Sequence, residues 1–102
     1  MSVPNLRKLA EHQSCYLRLW PHCRQEEGNV VLAHIRRGGT AGAGQKPEDI
    51  NGVPSCFYCH KVYDGEKQDD YTREQLDAEM LRAHCQWLDF LWKNELIIFV
   101  KS

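Results

Sequence analysis

The sequence predicts a small α+β domain that is tied together at two cysteine pairs and ends in a long amphipathic helix. Four of the five cysteines form the pairs Cys15-x7-Cys23 and Cys56-x2-Cys59. The β-branched run Val30 to Ile35 indicates a strand, and apolar residues at helical spacing from Leu76 to Leu91 indicate the helix. With 102 residues, 42% hydrophobic and 26% charged, the chain forms one domain, residues 1–102, with a modest core.

The N-terminal third is predicted to contain one short helix and two strands. Asn5 to His12 has apolar residues on one side and predicts a short amphipathic helix. Cys15 to Trp20 alternates as a strand does, and Pro21-His22-Cys23 makes the turn that returns the second cysteine. A loop at residues 26–29 then leads into the strand Val30 to Ile35.

The middle of the chain is predicted to be irregular. Four glycines fall between Gly38 and Gly44, and glycine loses too much entropy in a helix or strand for such a run to be either. The irregular stretch is predicted to continue from Lys46 up to Cys56.

The remainder of the chain is predicted to be mostly helical. Cys59 to Tyr63 is expected to begin a short helix that ends at Asp64-Gly65. Thr72-x-x-Gln75 is a capping box, in which two side chains satisfy free backbone donors at the start of a helix that runs to about Lys93.

Several residues near the C-terminus are expected to be structural. Trp87, Phe90 and Trp92 are predicted to be packing residues rather than platforms for nucleic-acid bases. Cys85 is predicted to be a small buried hydrophobic residue, and Glu95 to Lys101 a closing strand.

Composition limits the class of protein. The formal net charge of −1 provides no global basic field for coating nucleic acid, although a local basic strip remains possible. Met1 to Leu9 lacks the apolar run of a secretory signal, and Leu96 to Val100 is too short to cross a bilayer. We therefore expect a cytoplasmic protein with no membrane partner, where cysteine pairs more often hold metal than form disulfides. The sequence makes no prediction of oligomeric state.

The two cysteine pairs predict a structural Zn²⁺ site made by Cys15, Cys23, Cys56 and Cys59. Two short loops that each present two sulfurs supply a closed tetrahedral set of ligands. His22, beside Cys23, is an alternative ligand, and four unrelated thiols are the plain alternative to a metal site.

A second group of residues has the chemistry that phosphodiester hydrolysis needs. His34 can act as the general base, and either Asn51 or Asp49 can hydrogen-bond the imidazole and fix its tautomer. His60 and Asp64 are four residues apart and share one helix face, where they can hold a catalytic Mg²⁺ or Mn²⁺.

Three cations flank the glycine-rich loop: Arg36, Arg37 and Lys46. Glycine has no side chain, so a phosphate backbone can come close to this loop, and the three cations would position the phosphates. The loop is therefore the predicted contact with DNA. We expect it to recognise the DNA backbone and shape rather than the base sequence. A solvated loop with incidental charges is the alternative.

These motifs together resemble the HNH nucleases, and within them the small YbcO-like proteins of phages and prophages. The resemblance rests on Leu6-Arg7-Lys8, Cys15-x7-Cys23, Leu32-Ala33-His34-Ile35-Arg36, Lys46-Pro47-x-Asp49 and Cys56-x2-Cys59-His60-x3-Asp64. It implies a ββα-metal (His-Me finger) fold with bound zinc and DNA endonuclease activity. One departure is Ala33, where many HNH sites have a metal ligand just before the base.

The leading hypothesis is a metal-dependent DNA endonuclease, and the rival is a non-catalytic zinc module that binds nucleic acid or protein. A thiol redox protein built on Cys56-x2-Cys59 is disfavoured because no βαβ pattern surrounds the motif. The site residues also have plain alternatives: His34 as a core histidine, His60 as a neighbour of the zinc cluster, and Asn51-Gly52 and Asp64-Gly65 as turns.

Overall fold

The computed structural model describes residues 5–24, 26, 28–35, 49–65 and 71–96. In them a two-stranded antiparallel sheet is flanked by three α-helices, which confirms the predicted α+β class. The elements are α1 (Leu6–Glu11), β1 (Val30–His34), a 3₁₀ turn (Asp49–Asn51), β2 (Gly52–Cys56), α2 (Phe57–Tyr63) and α3 (Arg73–Lys93). None of the helices described is long and apolar enough to cross a membrane.

The register of the hairpin places the cysteine cluster and His34 at opposite ends of the sheet. Val30 lies opposite Cys56, at the end where the cysteines gather, and His34 lies opposite Gly52 at the other end. A Cβ atom on Gly52 would lie 2.9 Å from the Leu32 Cγ, closer than real Cβ contacts come. Glycine at position 52 therefore lets the start of β2 lie close against Leu32 of β1.

The predicted strand at Cys15 to Trp20 is wrong, because this segment is a loop. Its alternation is real, since Cys15, Leu17 and Leu19 are fully buried while their neighbours are not. Arg18, however, has a φ of 49°, in the left-handed region that an extended strand cannot include. The turn predicted at residues 21–23 is present, and the Trp20–Pro21 peptide bond is cis.

The buried loop is held by side-chain hydrogen bonds from α3 and by one backbone hydrogen bond to β2. The Arg82 guanidinium donates hydrogen bonds to the carbonyl oxygens of Tyr16 (3.0 Å) and Leu17 (2.8 Å). The Tyr16 amide in turn donates to the Pro54 carbonyl at 2.8 Å. Buried backbone groups need such partners, so Arg82 takes the place of a sheet ladder here.

Strand β2 lies inside the stretch predicted to be irregular, so that prediction is wrong for residues 52–56; residues 46–48 lie outside the described part. Pro54, opposite Leu32 at the centre of β2, conceals the strand, because proline lacks an amide donor and normally argues against a strand. β2 tolerates Pro54 because β1 is its only strand neighbour among the described residues, so the missing amide donor breaks no ladder there.

The three helices follow their local signals closely. Asn5 caps α1 by accepting from the Lys8 amide, and the capping box of Thr72 and Gln75 begins α3 as predicted. α2 begins two residues before the predicted start, with Cys56 as its N-cap. The buried stripe of α3 is Leu76, Met80, Ala83, Trp87 and Leu91.

Two predictions about α3 are corrected. Cys85 is exposed rather than buried, because it follows Ala83 by two residues and therefore lies on the opposite side of the helix from the buried stripe. Trp87 is fully buried and stacks on Phe90 at 5.6 Å between ring centroids, as a packing residue should. Trp92, predicted to pack as well, is 53% exposed.

The predicted C-terminal strand does not begin at Glu95. Glu95 has a φ of 57°, and the Leu96 amide donates to the Leu91 carbonyl at 2.8 Å, so both residues close α3. Residues 97–101 of that prediction lie outside the described residues, as do the glycine loop at 38–44 and the cations Arg36, Arg37 and Lys46.

Candidate functional site

The four paired cysteines converge on one point. The sulfur atoms of Cys15, Cys23, Cys56 and Cys59 all lie within 4.8 Å of one another. The Cys56 and Cys23 sulfurs are 4.0 Å apart. A tetrahedral Zn²⁺ with Zn–S bonds of about 2.3 Å requires sulfur separations of about 3.8 Å, so the four thiols can hold an ion such as zinc. Cys23 belongs to this group of possible ligands, whereas His22, the alternative ligand beside it, does not.

Three segments supply the sulfurs. Cys15 and Cys23 come from the buried loop, Cys56 ends β2, and Cys59 lies in the first turn of α2. Backbone amides point at three of the sulfurs: Arg18 N to Cys15 Sγ (3.5 Å), Leu19 N to Cys59 Sγ (3.3 Å) and Cys59 N to Cys56 Sγ (3.5 Å). Amide donors stabilise thiolates, which are the form of cysteine that binds metal.

The ionisation of these thiols is strongly interdependent. A hydrogen bond from the Cys59 thiol lowers the pKa of Cys15 to about 4, whereas the same bond raises the pKa of Cys59. Burial, followed by the charge on Cys15, raises the pKa of Cys23 to about 12. The cluster therefore favours ionisation of one thiol, and the negative charge of that thiolate disfavours ionisation of the others. A divalent cation at the centre removes that opposition, so this donor set suits a metal.

His34 ends β1 with its side chain 13% exposed, and its Nε2 lies 2.9 Å from the Asp49 Oδ1 in the 3₁₀ turn. Hydrogen bonding to His34, and then to Arg7, lowers the pKa of Asp49 despite a counteracting desolvation. The Asp49 carboxylate therefore stays ionised and accepts, so His34 Nε2 carries the proton. In a neutral imidazole this leaves Nδ1 as the free lone pair.

Arg7 completes this arrangement and was not predicted to do so. Its Nε donates to the same Asp49 Oδ1 at 3.1 Å, from the exposed side of α1. In the sequence nothing links Arg7 to Asp49, because a contact across 42 positions leaves no local signal. Arg7 holds the carboxylate from one side while His34 meets it from the other.

Asn51 contributes to the same region through its main chain. Its carbonyl accepts from the Ile35 amide at 2.8 Å and so extends the hairpin pairing beyond His34. Within the described residues its side chain makes no hydrogen bond to His34. The His84 Nε2 on α3 lies 2.8 Å from the Ile50 carbonyl, which anchors the middle of the turn.

His60 and Asp64 form the second histidine–carboxylate pair. On α2 the His60 Nε2 lies 3.1 Å from the Asp64 Oδ2, and both side chains are about a third exposed. Asp64 is also the C-cap of α2, so the predicted turn is present as well. Among the described histidine, cysteine and acidic residues, the four cysteines alone bring three or more donors close enough to share an ion.

Comparison with known proteins shows that this chain matches one family. Residues 4–90 match the model of a family described as "Putative nuclease YbcO". "Putative nuclease YbcO" of Escherichia coli (strain K12) and "Putative nuclease ybcO" of Enterobacteria phage 82 are each 33% identical over 89 residues, covering 84% of this chain and 93% of theirs. A solved structure titled a putative bacteriophage protein from E. coli K-12 MG1655 shares the fold, with a TM-score of 0.73 and 24% identity, over 89% of this chain and 100% of that one.

Proposed function

The chain belongs to the family described as "Putative nuclease YbcO", and on that premise we propose that it is an HNH-type, metal-dependent endonuclease that hydrolyses phosphodiester bonds of DNA. The observation that carries the proposal is the 2.9 Å hydrogen bond between His34 and Asp49 at the end of β1. It holds a histidine with one nitrogen bound to a carboxylate and the other available as a base.

His34 is the proposed general base. Its Nδ1 takes a proton from the attacking water, and the Asp49 carboxylate stabilises the imidazolium that results. Arg7 keeps Asp49 in place and ionised while this happens. Asp49 is a positioning residue in this scheme because it acts through His34.

His60 and Asp64 are the proposed ligands of a catalytic Mg²⁺ or Mn²⁺. An imidazole nitrogen and a carboxylate oxygen 3.1 Å apart on one helix face can bind one ion and leave its other positions to water and phosphate. When bound, such an ion neutralises charge that builds on the phosphate and the leaving oxygen. The Zn(Cys)₄ site is structural in this proposal, since four protein ligands leave no open position.

A non-catalytic zinc module that binds nucleic acid or protein remains the second candidate, and Ala33 is the observation that favours it. Ala33 is fully buried at the position where many HNH sites place a metal ligand. With two protein ligands instead of three, the catalytic ion would be held weakly.

Cleavage of supercoiled plasmid DNA separates the two candidates. Purified protein of known zinc content is incubated with Mg²⁺, Mn²⁺ or no added ion, and nicked circles are measured on a gel. We expect nicking that requires an added divalent ion. Stoichiometric zinc with no nicking under any ion would support the binding module instead.

Asp64→Ala is expected to raise the concentration of Mg²⁺ or Mn²⁺ needed for half-maximal nicking. Loss of one of two protein ligands leaves His60 alone to bind the ion, and a hard cation prefers oxygen. Titration of the ion at fixed DNA measures the effect. Asp89→Ala on α3, which removes a similar exposed ion-paired carboxylate, is the matched control. An unchanged requirement in Asp64→Ala would reduce Asp64 to a turn residue.

Asp49→Asn is expected to lower kcat by about 10–100-fold, the usual cost of losing a residue that orients a catalytic or metal-bound histidine. The amide keeps the shape of Asp49 but removes the charge that stabilises the imidazolium. Asn51→Ala should cost much less, because Asn51 acts through its carbonyl. Single-turnover nicking rates compare the two variants, and the reverse order would assign the orienting role to Asn51.

A further inference from the structure

A cavity of about 270 Å³ lies beside the cysteine loop, on a different side of α2 from His60 and Asp64. It is lined by Pro21, His22, Arg24, Tyr58, Lys61 and Val62. Pockets that enclose a whole small molecule usually start at roughly 300 Å³, so this one has room for part of a nucleotide, such as one base or one phosphate group. Neither the predicted zinc site nor the predicted catalytic site uses it.

The described lining of the cavity favours an anion. Arg24 and Lys61 are basic, and none of the described lining residues is acidic. On a chain with a net charge of −1, two basic side chains and no carboxylate among the described lining residues are a local departure from the overall charge balance. An anionic ligand gains attraction here that it does not gain from the molecule as a whole.

The cavity also offers an aromatic surface. Tyr58 is 39% exposed, and the Arg24 guanidinium lies over its ring, 5.8 Å from the centroid. The preceding residue, Phe57, is 46% exposed, and Trp20, next to Pro21, is 76% exposed. Exposed aromatic rings interleaved with cations are what proteins use to bind single strands, by stacking bases and pairing phosphates.

Helix α2 connects this cavity to the proposed catalytic residues. Tyr58 and Asp64 are separated by six residues on α2, a rise of about 9 Å along the axis. Lys61 directly follows His60. Because the cavity and the His60–Asp64 pair lie on different sides of α2, a strand held at Tyr58 must pass around the helix to reach the pair.

We propose that this cavity binds one nucleotide of an unpaired DNA segment, with its base stacked on Tyr58 and its phosphates paired with Arg24 and Lys61. The inference rests on the proposed nuclease function and names its substrate class: DNA that contains a single-stranded segment. Bases in an intact duplex stack on one another and leave no free face for Tyr58, so blunt duplex DNA binds less well here.

Binding is tested by fluorescence anisotropy with a labelled oligothymidine and a labelled blunt duplex, both without added divalent ion so that cleavage does not interfere. Tighter binding of the single strand is expected. Tyr58→Leu should raise its Kd by about 5- to 150-fold, the range that a lost base stack predicts, while Tyr58→Phe should stay near wild type. Zinc content and melting temperature verify that each variant is folded.

Lys61→Ala should reduce the salt dependence of binding. Loss of one phosphate contact to a single strand lowers the slope of log K against log salt by about 0.7. Lys93→Ala, which removes an exposed lysine from the end of α3, is the matched control and should leave the slope unchanged.

Equal affinity for single strand and duplex, or a Tyr58→Leu variant that binds like wild type, would overturn the cavity proposal. If plasmid nicking persists in that case, the nuclease function stands without the cavity. If the single strand binds as expected but no ion supports nicking, the cavity proposal stands as a DNA-binding site and the nuclease proposal fails.

Discussion

Replacing Cys56 with serine should release the metal and unfold most of the domain. Cys56 is fully buried, ends β2, caps α2 and contributes one of four clustered sulfurs. Structural zinc binding is worth about 10–16 kcal/mol of apparent free energy, whereas a whole domain is stable by only about 5–15 kcal/mol. Since the binding energy is largely folding energy, a site with three ligands cannot sustain the native state.

Cys85→Ser is the matched control for this experiment. It makes the same chemical change at the exposed cysteine of α3, outside the sulfur cluster. Zinc is measured after gel filtration, and unfolding is followed by circular dichroism. We expect Cys85→Ser to keep its zinc and melting temperature and Cys56→Ser to lose both. A Cys56→Ser protein with normal zinc content and melting would contradict the metal-site assignment.

Elements with a local signal were predicted well from the sequence. α1 and α3 have a capping residue followed by apolar residues at helical spacing, and both lie where these signals place them. β1 follows from its β-branched run. In each case the sequence signal lies within the residues that form the element, so the element can be predicted without knowledge of distant contacts.

The elements that the sequence mispredicted depend instead on contacts with residues far away in the chain. The loop at residues 15–20 alternates because its side chains reach a core made by other elements, and alternation alone does not distinguish that from a strand. Its true constraint is Arg82 on α3, more than sixty positions away. β2 was missed because Pro54 removes its local signal, while its pairing with β1 depends on residues earlier in the chain.

In the candidate site too, features with a local sequence signal were predicted, and features set by distant contacts were not. The spacing of the cysteines predicted their clustering, because two short pairs leave few other arrangements. Which of Asp49 and Asn51 contacts the His34 imidazole could not be predicted from the sequence, because the contact depends on how a single 3₁₀ turn is rotated beside His34. Contact with Arg7 depends further on how α1 packs over the hairpin.

The hairpin also separates the cysteine cluster from His34. The cysteine cluster lies at the end where Val30 meets Cys56, and His34 lies at the end where it meets Gly52. A change at one end should therefore affect folding and a change at the other should affect the reaction. Cys56→Ser and the corresponding variant of His34 test the two ends independently.

His34→Ala is expected to lower the single-turnover rate of DNA nicking by about 100- to 10,000-fold, the contribution that a positioned general base makes. Zinc content and melting temperature should change little. His34 lies at the far end of the hairpin from the sulfurs, and Asp49 keeps its ion pair with Arg7 when the imidazole is removed.

His34→Gln distinguishes the loss of a base from the loss of a contact. Its amide can still donate to Asp49, but it cannot accept a proton from water, so it should be as slow as His34→Ala. His12→Ala, at the exposed end of α1, controls for removal of a histidine elsewhere. Nicking by His34→Gln at the wild-type rate would show that His34 acts only through its hydrogen bond to Asp49. The base would then have to be sought among other residues near the 3₁₀ turn.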